Sequence, residues 1–245
     1  MAGFTFYKPQ HGLNEFIEAY WELRSDSASE FSDSLLPDGC VDLIINAGER
    51  FAVPSENVIL EHGKVYIGGV MTHAVHTPIP LECRLIGVRF KPGCLSNFQQ
   101  HDSLHLFKDG CTEMSKKLMP DLKQLDQDII NGFDTFYAKI LKPTNHRLSL
   151  VLQYIYGSHG TADVRSIAAQ NFTTERQLER DFRQYVGLSP KQFSNIIRFQ
   201  YANRMLENRL VKQSLLSLAL NLGYCDHAHF SKEFKKYAGS APSMG

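Results

Sequence analysis

The spacing of apolar residues changes period along the chain, and the change divides it into parts. Up to about residue 95 the pattern is short and β-like. VDLIIN (Val41 to Asn46), KVYIGG (Lys64 to Gly69) and ECRLIGVRF (Glu82 to Phe90) are apolar or β-branched runs bounded by the turn signals PDG, PSEN and KPG, and they predict strands. A short amphipathic segment, LNEFIEAYWEL, precedes them and carries Trp21, the only tryptophan. Several short strands separated by Gly and Pro imply a small barrel or sandwich. From about residue 95 the period becomes helical. Leu118, Leu122, Leu125, Ile129, Phe133, Phe136 and Ile140 recur three or four residues apart, which puts them on one face of one or two helices. KPTN (Lys142 to Asn145) stops that pattern, because Pro lacks an N–H and disfavours helix in the residue before it. The expected division is therefore 1–145, β-rich with a helical linker over about 95–141, and 146–245.

The last hundred residues read as entirely helical and contain an internal repeat. Ile167 and Ala168 are followed by Leu178, Phe182, Gly187 and Pro190; Leu218 and Ala219 are followed by Phe230, Phe234, Gly239 and Pro242. In both copies the last four positions are spaced four, five and three residues apart. The i and i+4 pairs Leu178/Phe182 and Phe230/Phe234 belong on the buried side of a helix, and the Gly after each is suited to a left-handed cap. Each copy predicts a helix, a turn and a second helix, the helix-turn-helix plan. Thr174 with Gln177 fits a capping box, and Asp226 is a good N-cap. Gly223 supplies a positive φ in the second turn, and Asn171 is the expected equivalent in the first. Between the copies, Gln192 to Leu206, with Arg198, Arg204 and Arg209 nearby, predicts a connecting helix of about 15 residues, roughly 22 Å long.

Charge sharpens this division. The 245 residues carry 26 Lys+Arg and 26 Asp+Glu, yet residues 146–245 hold 13 basic and 7 acidic residues, a formal +6, and residues 1–145 a formal −6. A basic C-terminal part points to a polyanionic partner. Five cysteines without a C-x-x-C pair fit a reducing compartment. The N-terminus MAGFTFYKPQ lacks the regions of a signal peptide, and no apolar run reaches the roughly 20 residues of a membrane span, so a cytoplasmic protein without a membrane partner is expected.

Residues 146–245 resemble the DNA-binding domain of AraC-type (AraC/XylS) transcription regulators. The likeness is carried by Ile167-Ala168, LERDF (Leu178 to Phe182), GLSP (Gly187 to Pro190), RFQYANRML (Arg198 to Leu206) and LALNLGYCDHAHFSKEFKKYAGSAP (Leu218 to Pro242), about 40% of the chain. YWEL, LLPDGCVDLIIN and LIGVRFKPG resemble the sensor-like domain that precedes one branch of these regulators. The resemblance implies an α+β protein: a β-rich N-terminal barrel or sandwich with helices, and an all-α tandem helix-turn-helix domain. Its second helices would enter successive major-groove faces about one turn, roughly 34 Å, apart.

Carried over by position, the first recognition helix begins near Thr174 and presents Glu175, Arg176, Glu179 and Arg180; the second begins at Asp226 and presents His227, Ala228, Ser231 and Lys232. Arg176 and Arg180 can donate bidentately to guanine, Glu179 can accept from cytosine N4, and His227 and Ser231 can reach a base or a phosphate. Lys232, Lys235 and Lys236, with Arg183, suit phosphates. A solvated helix face is the plainer reading of the same charges, and the repeat tips the balance to DNA. Double-stranded promoter DNA is the expected partner, with a small-molecule effector in the N-terminal part, a homodimer and RNA polymerase as further candidates. No cofactor and no metal are expected. The rival class is an enzyme, either a DNA-repair alkyl acceptor using Cys40, Cys83 or Cys94 or a metal-dependent barrel using His73, His76 and Glu82. Buried inert thiols are the plainer reading of those cysteines. H-x-x-H does not put both rings on one face of a strand.

Overall fold

The computed structural model describes residues 3–10, 12–25, 31–53, 58–79, 82–142, 146–208 and 214–243. The turn signal PSEN, most of KPTN and Arg209 lie outside these residues. The fold is α+β. The strands are β1 (Gly3–Tyr7), β2 (Ile17–Arg24), β3 (Phe31–Leu35), β4 (Val41–Asn46), β5 (Phe51–Val53), β6 (Val58–Leu60), β7 (Val65–Gly68), β8 (Val75–Ile79), β9 (Arg84–Phe90) and β10 (Cys111–Met114). A six-stranded sheet runs in the order β1-β2-β9-β4-β7-β10, and the ribbons β3-β8 and β5-β6 form two small sheets.

Alternation within the strands sorts side chains between two faces of the large sheet. Val41, Leu43 and Ile45 of β4 and Ile86, Val88 and Phe90 of β9 join one buried cluster; Trp21, Leu23, Tyr66 and Leu85 join another on the opposite side. The helices α1 (Leu122–Gln127) and α2 (Ile129–Ile140) cover the first face, where Phe133 stacks on Tyr20 with ring centroids 4.6 Å apart. The two ribbons stand over the other face and close a cavity.

Three expectations need correction here. Most of LNEFIEAYWEL is strand β2, because Tyr20 and Trp21 face opposite sides of a sheet buried on both. Residues 95–121 are not helical: single turns at Leu95–Asn97, Leu104–Phe107 and Lys116–Leu118 alternate with β10, whose edge pairing to β7 supplies its hydrogen bonds. The regular helices begin only at Leu122, after the N-cap Asp121. The apolar stripe expected between the two parts of the chain lies instead against the sheet, as α1 and α2.

The remainder is helical: α3 (His146–Gly157), α4 (Val164–Gln170), α5 (Glu175–Tyr185), α6 (Pro190–Glu207), α7 (Leu215–Asn221) and α8 (His227–Ala238). Its core is continuous with that of the sheet, since one buried cluster runs from Leu13 to Tyr237.

Candidate nucleic-acid interface and the adjoining cavity

The pairs α4–α5 and α7–α8 are two helix-turn-helix units joined by α6. Leu178 and Phe182 of α5, and Phe230 and Phe234 of α8, are buried as expected. Each contributes about 2 kcal/mol of hydrophobic stabilisation. Asp226 caps α8 by accepting from His229 N at 2.7 Å. Thr174 caps α5 by accepting from Gln177 N at 3.1 Å, but the expected box is only half formed, because the Gln177 amide turns to Asp181 at 2.6 Å. The reciprocal box occurs instead at Ser189 and Gln192, with Pro190 in the first turn of α6. That helix is 18 residues long, about 27 Å, slightly longer than anticipated.

The turns differ from one another. Gly223 adopts φ +74° as expected, but in the first unit Phe172 takes the positive φ, +49°, and not Asn171. Asn171 stays at φ −106° because its amide donates to Ile167 O at 2.8 Å as the helix C-cap. The Phe172 ring is 97% exposed.

The site residues form two outward faces. On α5, Glu175, Arg176, Arg180 and Arg183 are exposed and Glu179 is half-buried; Arg180 donates to Gln177, and Arg183 pairs with Glu179 at 3.7 Å. Thr174 is exposed, its hydroxyl committed to the cap. On α8, His227, Ala228, Lys232, Lys235 and Lys236 are exposed, and Ser231 lies 3.5 Å from His227 Nε2. Lys236 Nζ sits 5.0 Å from the Tyr237 ring centroid. Lysine and arginine outnumber the acidic residues on both faces.

Contacts with the β-rich part gather at the far ends of these helices, a feature without a sequence signal. His105 Nδ1 donates to Gly187 O at 3.1 Å, and Ser103 Oγ donates to Arg183 O at 2.9 Å. A Cβ on Gly187, whose φ is +85°, would stand 2.8 Å from Val70 Cγ1. At the end of α8, a Cβ on Gly239 would stand 3.4 Å from His76 Nε2 and 3.8 Å from Ala74 Cβ. The stretch between β7 and β8, with the start of β8, therefore touches the C-terminal caps of both second helices.

That same stretch is a wall of the cavity. The cavity has a volume of about 430 Å³ and is lined by Phe4, Trp21, Phe51, Met71 and Leu85 together with Asp42 and Arg89. Gly87 makes this arrangement possible: a Cβ there would fall 2.2 Å from the indole, so the bare backbone lets Trp21 lie across β9 and donate to Asp42 Oδ1 at 2.7 Å. Arg89 sits beside Asp42 at 3.3 Å and Asp38 at 3.5 Å. Burial pushes the Asp42 carboxyl above its usual range, an effect that Arg89 partly offsets. The signal available in the sequence was a charge within each apolar run, Asp42 in VDLIIN and Arg89 in LIGVRF.

The residues of the enzyme alternatives are otherwise engaged. His73 Nδ1 lies 3.5 Å from Asp109, and Ser34 Oγ is 2.8 Å from His76 Nδ1. Glu82 is exposed at φ +56°. Among the described residues no three His, Cys, Asp or Glu side chains gather as a metal site. Burial pushes the Cys83 and Cys94 thiols up to about 11 and raises Cys40 as well, which disfavours the thiolate needed for nucleophilic attack. Among the described residues no helix is long and apolar enough to cross a membrane.

Two family models match separate stretches of the chain. Residues 167–244 match a helix-turn-helix domain family, and residues 5–113 match a domain of unknown function (DUF6597). The C-terminal region is thus a tandem helix-turn-helix domain. It is of the AraC type, in keeping with the relatives that align to it. An uncharacterized HTH-type transcriptional regulator of Haemophilus influenzae is 37% identical over 83 residues, 34% of this chain and 25% of that protein. The arabinose operon regulatory protein of Escherichia coli is 25% identical over 121 residues, 49% of this chain and 41% of that protein. The chain thus spans between a quarter and about two-fifths of the length of these relatives. The solved structure of ToxT from Vibrio cholerae aligns at 13% identity over 91% of this chain and 95% of its own, with a TM-score of 0.46.

Proposed function

We propose that the protein is a cytoplasmic, sequence-specific regulator of transcription, in which residues 146–245 bind promoter DNA through α5 and α8 and residues 1–145 control that binding. The observation that carries the reading is the pair of N-capped amphipathic helices, each with a buried i/i+4 apolar pair and a cationic outer face, joined by one continuous helix. Arg176 and Arg180 read base edges, with Glu179, His227, Ala228 and Ser231 beside them. Arg183, Lys232, Lys235 and Lys236 take phosphates, and Thr174 and Glu175 set the start of the first reading helix.

Control follows from the wall shared by the cavity and the helix ends. A small molecule in the cavity bears on residues 69–76, which seat the caps of both reading helices, and so biases their relative placement. A homodimer and contact with RNA polymerase belong to the same reading. The acidic N-terminal part limits non-specific attraction to DNA.

Selection of bound fragments from genomic DNA tests the proposal. An enriched duplex motif with two half-sites about 10 base pairs apart is expected. A pool without enrichment would remove the DNA-reading function. Light scattering across concentrations tests the dimer, which a concentration-independent monomer contradicts.

A further inference from the structure

We infer that the cavity takes a compact apolar ligand with a hydrogen-bond-donating head group, an amine above all, and rejects carboxylates. The inference rests on the reading of the cavity as the effector site and adds the chemistry of the ligand. Most of the wall is aromatic or aliphatic, so the body of the ligand is apolar. The formally charged lining residues are Asp42, Asp109 and Arg89. Arg89 is the lining cation, and it already lies between Asp42 at 3.3 Å and Asp38 at 3.5 Å. Two carboxylates flank the one guanidinium, so this corner keeps an excess of negative charge. The second corner is also an acceptor: Asp109 accepts from Thr72 N at 2.6 Å and from Thr72 Oγ1 at 2.8 Å, with His73 Nδ1 at 3.5 Å, and Lys108 Nζ at 3.9 Å balances its charge, so the excess of negative charge lies at Asp42 and Asp38.

A ligand carboxylate would have to approach Arg89 beside two carboxylates, out of bulk water, where like charges repel strongly. An ammonium group would instead offset the excess charge at Asp42 and Asp38 and donate N–H bonds to the carboxylate oxygens of Asp42 and Asp109. The Trp21 indole, held by its bond to Asp42, adds an aromatic face suited to a cation.

Trp21 is the only tryptophan of the chain and lies on the cavity wall, so its emission reports occupancy of the cavity. Three probes with one cage and different heads, adamantylmethylamine, adamantylmethanol and adamantane carboxylate, isolate the head group. They are titrated at pH 8, where an imidazole is ordinarily neutral and an aliphatic amine charged. The amine should shift the emission at a concentration at least about ten-fold lower than the carboxylate, with the alcohol between them. Asp109→Asn and Asp42→Asn should each reduce the advantage of the amine over the alcohol. Should Asp42→Asn lose its circular dichroism, Asp109→Asn, at the cavity rim, carries the comparison. Binding of the carboxylate as tight as that of the amine overturns the ligand class and leaves the cavity as an effector site. Failure of all three probes to move the emission removes the cavity site itself, and with it both readings.

Discussion

The guanidinium of Arg198 in α6 lies over the ring of Tyr224, 4.4 Å from its centroid, and so ties the connecting helix to the second unit. Arg198 is only 9% exposed; it donates to Asn195 Oδ1 at 2.7 Å and to Leu222 O at 3.4 Å, and pairs with Glu233 of α8 at 3.7 Å. Replacing it by Ala removes the counter-charge of Glu233, which keeps the bond from Asn195 Nδ2 at 3.2 Å, and uncovers the Tyr224 ring. A loss of about 3 kcal/mol is expected, read by urea unfolding. Lys, which lacks the planar fork, should recover only part of it.

The cap at Asp226 supplies the acceptor for His229 N at the start of α8. Asp226→Ala should cost about 1 kcal/mol, and Asp226→Asn or Ser much less. If the reading helix is as described, the Ala variant also weakens DNA binding by fraying the turn that carries His227 and Ala228. Amide exchange at the start of α8 would show the fraying directly.

Two glycines separate backbone strain from contact between the parts of the chain. Gly187 and Gly223 both have positive φ, but a Cβ on Gly223 meets nothing within 4 Å, whereas one on Gly187 meets Val70 and the Leu104 carbonyl at 2.8 and 3.1 Å. Gly223→Ala should therefore cost about 1 kcal/mol, the left-handed penalty alone. Gly187→Ala adds overpacking, about 1–3 kcal/mol more. Thermal unfolding of the two variants checks the difference, and equal losses would mean that Val70 does not seat on the helix end.

The buried thiols make stability fall in alkali. Folding raises the Cys83 and Cys94 pKa values to about 11 from about 9, so each contributes stability that is fully present below about pH 9 and lost as pH rises through 11. The gap corresponds to about 3 kcal/mol for Cys83, which is almost wholly buried, and to less for the partly exposed Cys94. Urea unfolding between pH 8 and pH 11 should show this decline, and Cys83→Ala should flatten it. Cys225, which is exposed, should be the first to react with a thiol reagent at neutral pH.

The helical part was largely legible because each repeat states its own geometry. The i/i+4 pairs, the caps at Thr174 and Asp226 and the glycines after each helix depend on neighbours close in sequence, and all fall where the pattern puts them. The N-terminal part was legible only where a strand is central. The long apolar runs at β4, β7 and β9 stood out, but β5, β6 and β10 are three or four residues long and owe their pairing to partners elsewhere in the chain. Strand β2 was obscured for another reason: buried on both faces, it has no alternation to read. The same physics hid the cavity, since Trp21, Asp42 and Arg89 are brought together by cross-strand register alone.

The central claim is that α5 reads DNA with its cationic face, and the Arg180→Ala variant tests it most directly. Affinity for the selected site, measured for wild type and variant across a range of salt concentrations, gives the result. The account predicts a loss of about 1–3 kcal/mol concentrated at one base pair, on a steep salt dependence for the wild type. Unchanged affinity with an unchanged salt slope would contradict it.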